Sequence, residues 1–254
     1  MPAESFSLGV PKMPPPGQHG IQVLFFSFTP NLAESDAAQT ALSDAEQLRA
    51  DLFKQRIDRN RYVVGRTILR CRIATILGCG PKEGALALDR GRPFLEGTQS
   101  QKIEFNLSHS GECVVVAFSN DRPLGIDVEV HRDFPDMQGV AKRIMTNAEY
   151  EEFAELPSRE RVSRFFRIWV RKEAIMKCLG AGFSIDPRRI EVGHSPNPFL
   201  EAEFNGERFH LRSIDVTNVT EEHSCAIAWP AGSDDAEIAM GTVEGTLSRD
   251  TRIE

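Results

Sequence analysis

The sequence predicts an α+β protein. Short β-prone runs alternate with helical patterns along most of the chain, and two long stretches carry apolar residues at steps of three and four. Strand-helix-strand runs also recur on either side of Leu124, which hints at a duplication.

Residues 1–20, with Pro14, Pro15 and Pro16, read as a flexible extension, and 21–28 as the first strand. Ser43-Asp44-Ala45-Glu46 has the form of a capping box, in which a serine hydroxyl and a glutamate three residues on satisfy each other's backbone donors. The helix or broken pair of helices that it opens runs through Val63, Val64, Ile68, Ile73 and Leu77 and stops at Gly78 and Gly80. Residues 89–95 form a turn carrying Arg92; strands follow at 103–107 and 114–118, and Asp121-Arg122-Pro123 turns the chain. The first half, 21–124, ends there.

The second half, 125–231, starts with a strand at 125–130 and a helix near 137–145. Thr146-Asn147-Ala148-Glu149 is a second capping box for a short helix to Leu156, and Pro157-Ser158 introduces a long helix that ends at Gly180 and Gly182. Strands are expected at 190–192, 199–204, 209–214 and 225–229, and 232–254 reads as a loose polar tail.

Composition bounds the function. In 254 residues, 41% hydrophobic and 26% charged is ordinary for a globular protein. A net charge of −7 argues against a nucleic-acid binder, which needs a basic face. Five cysteines without paired spacing argue against a disulfide framework or a cysteine metal site; Cys113 and Cys178 read as core. The N-terminal stretch lacks the pattern of a secretory signal, and no apolar run reaches membrane-spanning length, so the expectation is a cytoplasmic protein.

Chemistry concentrates in three places. In Gly125-Ile126-Asp127-Val128-Glu129, strand alternation sends Asp127 and Glu129 to one face and Ile126, Val128 and Val130 to the other. On the long helix Glu173 and Lys177 are four apart, hence stacked on one face, and Glu173 follows Trp169 by four, so the acid interrupts a core-facing row. An ionised carboxylate at a core margin is costly without a cation. Three hard oxygen ligands near a lysine suggest a magnesium site that handles phosphate. The third place, Asn106-Leu107-Ser108-His109-Ser110-Gly111, reads as a polar loop at a strand's edge, a common setting for anions. Ser108 and His109 are not a nucleophile-base pair, since sequence neighbours seldom face each other.

Taken in order, G-R-P at 91–93, F-N-L-S-H-S at 105–110, G-I-D-V-E at 125–129, A-K-R-I-M-T-N-A-E-Y at 141–150 and W-V-R-K-E-A-I-M-K at 169–177 resemble the Sfp-type 4′-phosphopantetheinyl transferases. The resemblance implies a magnesium-dependent enzyme of the holo-[acyl-carrier-protein] synthase type. Such an enzyme moves phosphopantetheine from coenzyme A to a serine of an apo acyl or peptidyl carrier protein and releases adenosine 3′,5′-bisphosphate. It also implies a monomeric pseudo-dimer of two similar α/β subdomains with the active site in the cleft between them. Residue by residue, it gives Asp127, Glu129 and Glu173 as metal ligands, Glu173 also as the base, and Lys177 as the group that meets the transferring phosphate. Arg61, Arg92, Ser108 and His109 are given as coenzyme A contacts, while Lys172 points elsewhere on the helix. The acids alone would also suit a magnesium-dependent phosphohydrolase acting on a nucleotide-like substrate.

Overall fold

The computed structural model describes residues 20–27, 36–83, 86–89, 92–95, 103–120, 122–180, 184–193, 199–214, 222–231 and 237–244. The proline-rich extension at 1–19 and the expected helix stop at Gly182 lie outside these residues.

The first half builds a sheet from β1 (Gly20–Ser27), β4 (Glu104–Ser110), β5 (Cys113–Ser119) and, from the far end of the chain, β10 (Glu237–Glu244), in the order β10-β1-β5-β4. Helix α3 (Arg56–Leu77) lies against it, α1 (Asp36–Ala41) and α2 (Asp44–Asp51) pack on α3, and β2 (Leu86–Asp89) pairs with β3 (Arg92–Leu95) as a separate hairpin. The second half builds a sheet from β6 (Gly125–Val130), β7 (Phe199–Phe204), β8 (Glu207–Ile214) and β9 (His223–Pro230), in the order β6-β9-β8-β7, with α4 (Met137–Ile144), α5 (Asn147–Glu155) and α6 (Ser158–Cys178).

Alternation along the strands explains the layering. In β1 and β5, Leu24, Phe26, Val114, Val116 and Phe118 pack with α3, while Ile21, Val23, Phe25, Val115 and Ala117 join Ile126, Val128, Ile227 and Trp229 of the second sheet. The other face of the second sheet, including Ala226 and Ala228, packs against Ala174, Ile175 and Met176 of α6. The order is therefore helix, sheet, sheet, helix, an α+β arrangement with three apolar interfaces.

Several boundaries differ from expectation. Residues 237–244 are not tail: they form β10, parallel to β1 in the register Gly20↔Glu237, and only this distant pairing makes them a strand. The segment read as a Ser-His loop is the body of β4, whose turn to β5 falls at Gly111, φ 56°. The turn carrying Arg92 is the β2–β3 hairpin. The strand expected at 190–192 is an extended exit from a 3-10 turn at Pro187–Arg189. Both capping boxes are formed, at Ser43–Glu46 and Thr146–Glu149.

Candidate active site

The site lies where β4, β6 and α6 meet, and its spacing depends on Gly125. A Cβ there would stand 2.0 Å from the Ala174 carbonyl oxygen and 2.4 Å from the Cys178 backbone nitrogen. Only a residue without a side chain lets α6 cross β6 so closely. Gly125 shares its strand face with Asp127 and Glu129, so the helix that closes over the glycine brings Glu173 and Lys177 to the two acids.

Asp127 is 4% exposed. Its Oδ1 accepts from Lys177 Nζ at 2.7 Å and from Ser108 Oγ at 2.8 Å, whereas its Oδ2 is buried without a hydrogen-bond partner. Lys177 Nζ donates also to Ser108 Oγ and to the Ile126 carbonyl, each at 3.1 Å. Glu129 Oε2 accepts from Ser110 Oγ at 2.6 Å. Burial, opposed by that hydrogen bond and assisted by the Asp127 charge, raises the Glu129 pKa. Glu173 is half-buried, and its Oε1 has no partner. Burial first, then the Asp127 charge, raise the Glu173 pKa from 4.5 to about 7; Lys177 opposes the rise and Glu129 adds to it.

Arg61 on α3 reaches the same corner, its Nε donating to the Gly111 carbonyl at 2.9 Å and its Nη1 to Asp58 at 3.1 Å. His109 stands on the outer side of β4; packing around its ring holds its pKa below the usual imidazole value, with Arg61 and Lys177 adding to the effect. Arg61 and Lys177 thus form a basic margin beside the acids, and His109 lies with them. Arg92 opens β3 at the end of its pairing with Asp89, and its side chain lies outside the described residues.

Ser108 departs from expectation. It is a residue of β4 rather than of a loop, is buried, and donates its Oγ–H to Asp127 Oδ1 at 2.8 Å. In the sequence Glu149 reads only as a helix cap. It does cap α5, and it also meets Lys172 Nζ at 2.6 Å, with both side chains fully buried, while its Oε1 accepts from the Val192 backbone nitrogen at 2.9 Å. Lys172 donates further to the carbonyls of Pro187 and Ile190 at 2.9 and 2.7 Å, and Arg171 Nη1 to those of Val192 and Gly193 at 3.4 and 3.3 Å. Two cations beside Glu173 on α6 therefore grip the 187–193 segment, and Glu173 alone of the three faces the acids of β6. Helical spacing already turns Lys172 away from the face of Glu173; what Lys172 grips is set only by the distant 187–193 segment.

The donor set suits a hard divalent cation. Two buried carboxylate oxygens, Asp127 Oδ2 and Glu173 Oε1, lack partners, and a carboxylate so placed is uncomfortable without a cation or a proton. Among the described residues, no group of three His, Cys, Asp or Glu side chains is placed to hold a metal ion as it stands, so the fit rests on the chemistry of the two partnerless carboxylates. Lys177 and Ser108 hold one Asp127 oxygen, and Ser110 holds one Glu129 oxygen.

Acids gathered beneath a basic margin have the chemistry that suits a phosphate ester. Residues 123–228 match the 4′-phosphopantetheinyl transferase superfamily, and residues 27–121 the N-terminal region of 4′-phosphopantetheinyl transferases. The chain is 36% identical over 165 residues to 4′-phosphopantetheinyl transferase HetI of Nostoc sp., covering 63% of this chain and 68% of that protein. It is 27% identical over 197 residues to a 4′-phosphopantetheinyl transferase of Bacillus subtilis, covering 76% and 84%. Over 247 residues it is 26% identical to the L-aminoadipate-semialdehyde dehydrogenase-phosphopantetheinyl transferase of Homo sapiens, covering 89% and 78%. The chain belongs to the 4′-phosphopantetheinyl transferase superfamily. Its reaction is the family's transfer of phosphopantetheine from coenzyme A to a carrier protein, and the phosphohydrolase reading finds no support in these matches.

Proposed function

We propose that the corner between β4, β6 and α6 is the catalytic centre of a magnesium-dependent transferase of the holo-[acyl-carrier-protein] synthase type. The observation that carries the reading is the meeting of Lys177 with Asp127 beside the partnerless oxygen of Glu173. Asp127, Glu129 and Glu173 are the residues that would hold magnesium, which when bound supplies positive charge to the coenzyme A diphosphate and to the departing bisphosphate.

The chain's own groups account for the remaining steps. Arg61, His109 and Arg92 bind the phosphates of coenzyme A, the two arginines with a planar fork that matches a phosphate edge. Ser108 acts through Asp127. The carrier serine Oγ bonds to the phosphorus bearing the pantetheine arm, the anhydride P–O bond breaks, and the electron pair leaves on adenosine 3′,5′-bisphosphate. Glu173, whose Oε1 is left without a partner, takes the serine proton directly or through water, and Lys177 offsets the charge that gathers on the phosphate.

The two halves of one chain supply the walls of the site, which supports a monomer as the working unit. A net charge of −7 supports a protein substrate over nucleic acid, and no helix among the described residues is long and apolar enough to cross a membrane, in line with a cytoplasmic setting. Carrier proteins are typically acidic, so docking relies on apolar contact and local arginines more than on long-range attraction.

The direct test incubates the protein with coenzyme A, magnesium and an apo carrier protein and reads intact mass. A transferase adds one phosphopantetheine to the carrier; consumption of coenzyme A without that gain would mark a hydrolase. Asp127→Ala should abolish the mass gain with the fold retained, and undiminished transfer would remove the assigned centre.

A further inference from the structure

β4 is an edge strand of the first sheet and β6 an edge strand of the second. An edge strand presents unpaired backbone donors, and buried ones must find partners. Here the partners are side chains. The N–H groups of Ile126, Val128 and Val130 point away from β9 and donate to Asn106 Oδ1 at 3.2 Å, Ser108 Oγ at 3.4 Å and Ser110 Oγ at 3.1 Å. Both strands advance by two residues per contact, so three side chains of β4 take the place of a parallel backbone ladder across the seam between the sheets.

The same hydroxyls face the site acids. Ser108 accepts from Val128 and donates to Asp127 Oδ1 at 2.8 Å; Ser110 accepts from Val130 and donates to Glu129 Oε2 at 2.6 Å. Each serine therefore ties one carboxylate to the backbone donor of the residue after it. Carboxyl torsions are otherwise broad, so a fixed donor on one oxygen sets where the other points. For Asp127 that other oxygen is the buried, partnerless Oδ2.

We propose that Asn106, Ser108 and Ser110 are positioning residues. Their seam locks the register of β6 against β4, and the two serine hydroxyls aim Asp127 and Glu129 at the cation rather than touching coenzyme A. The inference rests on the proposed catalytic centre. It adds a division within F-N-L-S-H-S: side chains at 106, 108 and 110 face β6, and only His109, on the opposite face of the strand, is left for substrate.

The test measures Mn2+ affinity by electron paramagnetic resonance on the full chain, together with steady-state kinetics, for wild type, Ser110→Ala, Ser110→Thr and Asp127→Ala. Ser110→Ala should weaken Mn2+ binding about tenfold, the usual loss when an outer hydrogen bond to a ligand is removed, and lower kcat, with KM for coenzyme A unchanged within about twofold. Ser110→Thr keeps a hydroxyl on the same carbon and should restore most of the affinity. Wild-type Mn2+ affinity in Ser110→Ala, or a loss confined to KM for coenzyme A, overturns the proposal. If Asp127→Ala also binds Mn2+ like wild type, the catalytic centre itself is misplaced; if only Asp127→Ala loses the ion, the centre stands and the positioning role fails. Loss of affinity in both Ser110 variants, with unchanged thermal midpoints, likewise overturns it, because a hydroxyl alone would then not be sufficient.

Discussion

The two halves each set one long helix on a four-stranded sheet, α3 with 22 residues and α6 with 21, yet they treat buried charge differently. On α3, Arg70 closes on Glu46 of α2 and on the Pro81 carbonyl, and Arg66 lies 3.8 Å from the same glutamate. On α6, Lys172 has a carboxylate and two carbonyls, whereas Glu173, the next residue, keeps a buried oxygen with no partner. Burial and charge alone therefore do not mark a functional group. The mark is unmet bonding capacity on a carboxylate gathered with other acids, since Arg72 of α3 also keeps a buried Nε without a hydrogen-bond partner while its Nη2 donates to Gln22 Oε1 at 2.7 Å.

The comparison can be broken or sharpened by four measurements at three positions. The largest expected effect is on the satisfied pair: Lys172→Ala strands Glu149 in the core and should cost about 3–5 kcal/mol in urea unfolding, enough to unfold much of the protein at 37 °C. A cost below about 1 kcal/mol would show that the pair does not hold the 187–193 segment. Glu173→Gln should do the reverse, leaving the urea midpoint unchanged or higher while transfer falls about 10²–10⁴-fold, the range of a lost general base. An equal loss of stability in this variant would end the distinction between the two neighbours.

Gly125→Ala comes next. Its methyl group would overlap the α6 backbone, so the helix must lift, at about 1–3 kcal/mol by urea unfolding. Transfer should fall more than the stability loss explains, since Glu173 and Lys177 move away from Asp127 together. Unchanged kcat in a folded Gly125→Ala protein would show that the close crossing does not set the site.

The smallest effect is the pH dependence. The folded-state pKa of Glu173, about 7 against 4.5 for an ordinary glutamate, means that the folded chain binds this proton more tightly than the unfolded chain. The contribution is therefore fully present below about pH 4.5 and lost as pH rises through about 7. After discounting for partial exposure it is on the order of 1 kcal/mol. In chelator, the wild-type minus Glu173→Gln difference in unfolding free energy should decline by that amount between pH 5 and 8, and magnesium should restore it at pH 8. A flat difference would mean that Glu173 is not desolvated.

Much of the site was legible because it is written in local periodicity. Asp127 and Glu129 share a face by strand alternation, Glu173 and Lys177 by the helical repeat, and both capping boxes formed where their residues stand. The second role of Glu149 was illegible because a capping glutamate looks the same in sequence whether or not a lysine from another helix reaches it. Ser108 to Ser110 read as a loop because small polar residues favour turns; pairing with β5 and the donors of β6 override that preference. Residues 237–244 read as tail because nothing in their neighbourhood implies a partner more than two hundred residues away.

By itself, then, the sequence determined which faces carry acids, where α2, α4, α5 and α6 begin, and which residues could share a phosphate site, since these follow from backbone geometry over a few residues. Only the tertiary structure decided that α6 crosses β6 at Gly125, that Lys172 is spoken for and Glu173 is not, and that the serines of β4 face the acids. Those outcomes depend on contacts between segments distant in the chain, and a hydrogen-bonding group is satisfied or left open only when every element that packs around it is in place.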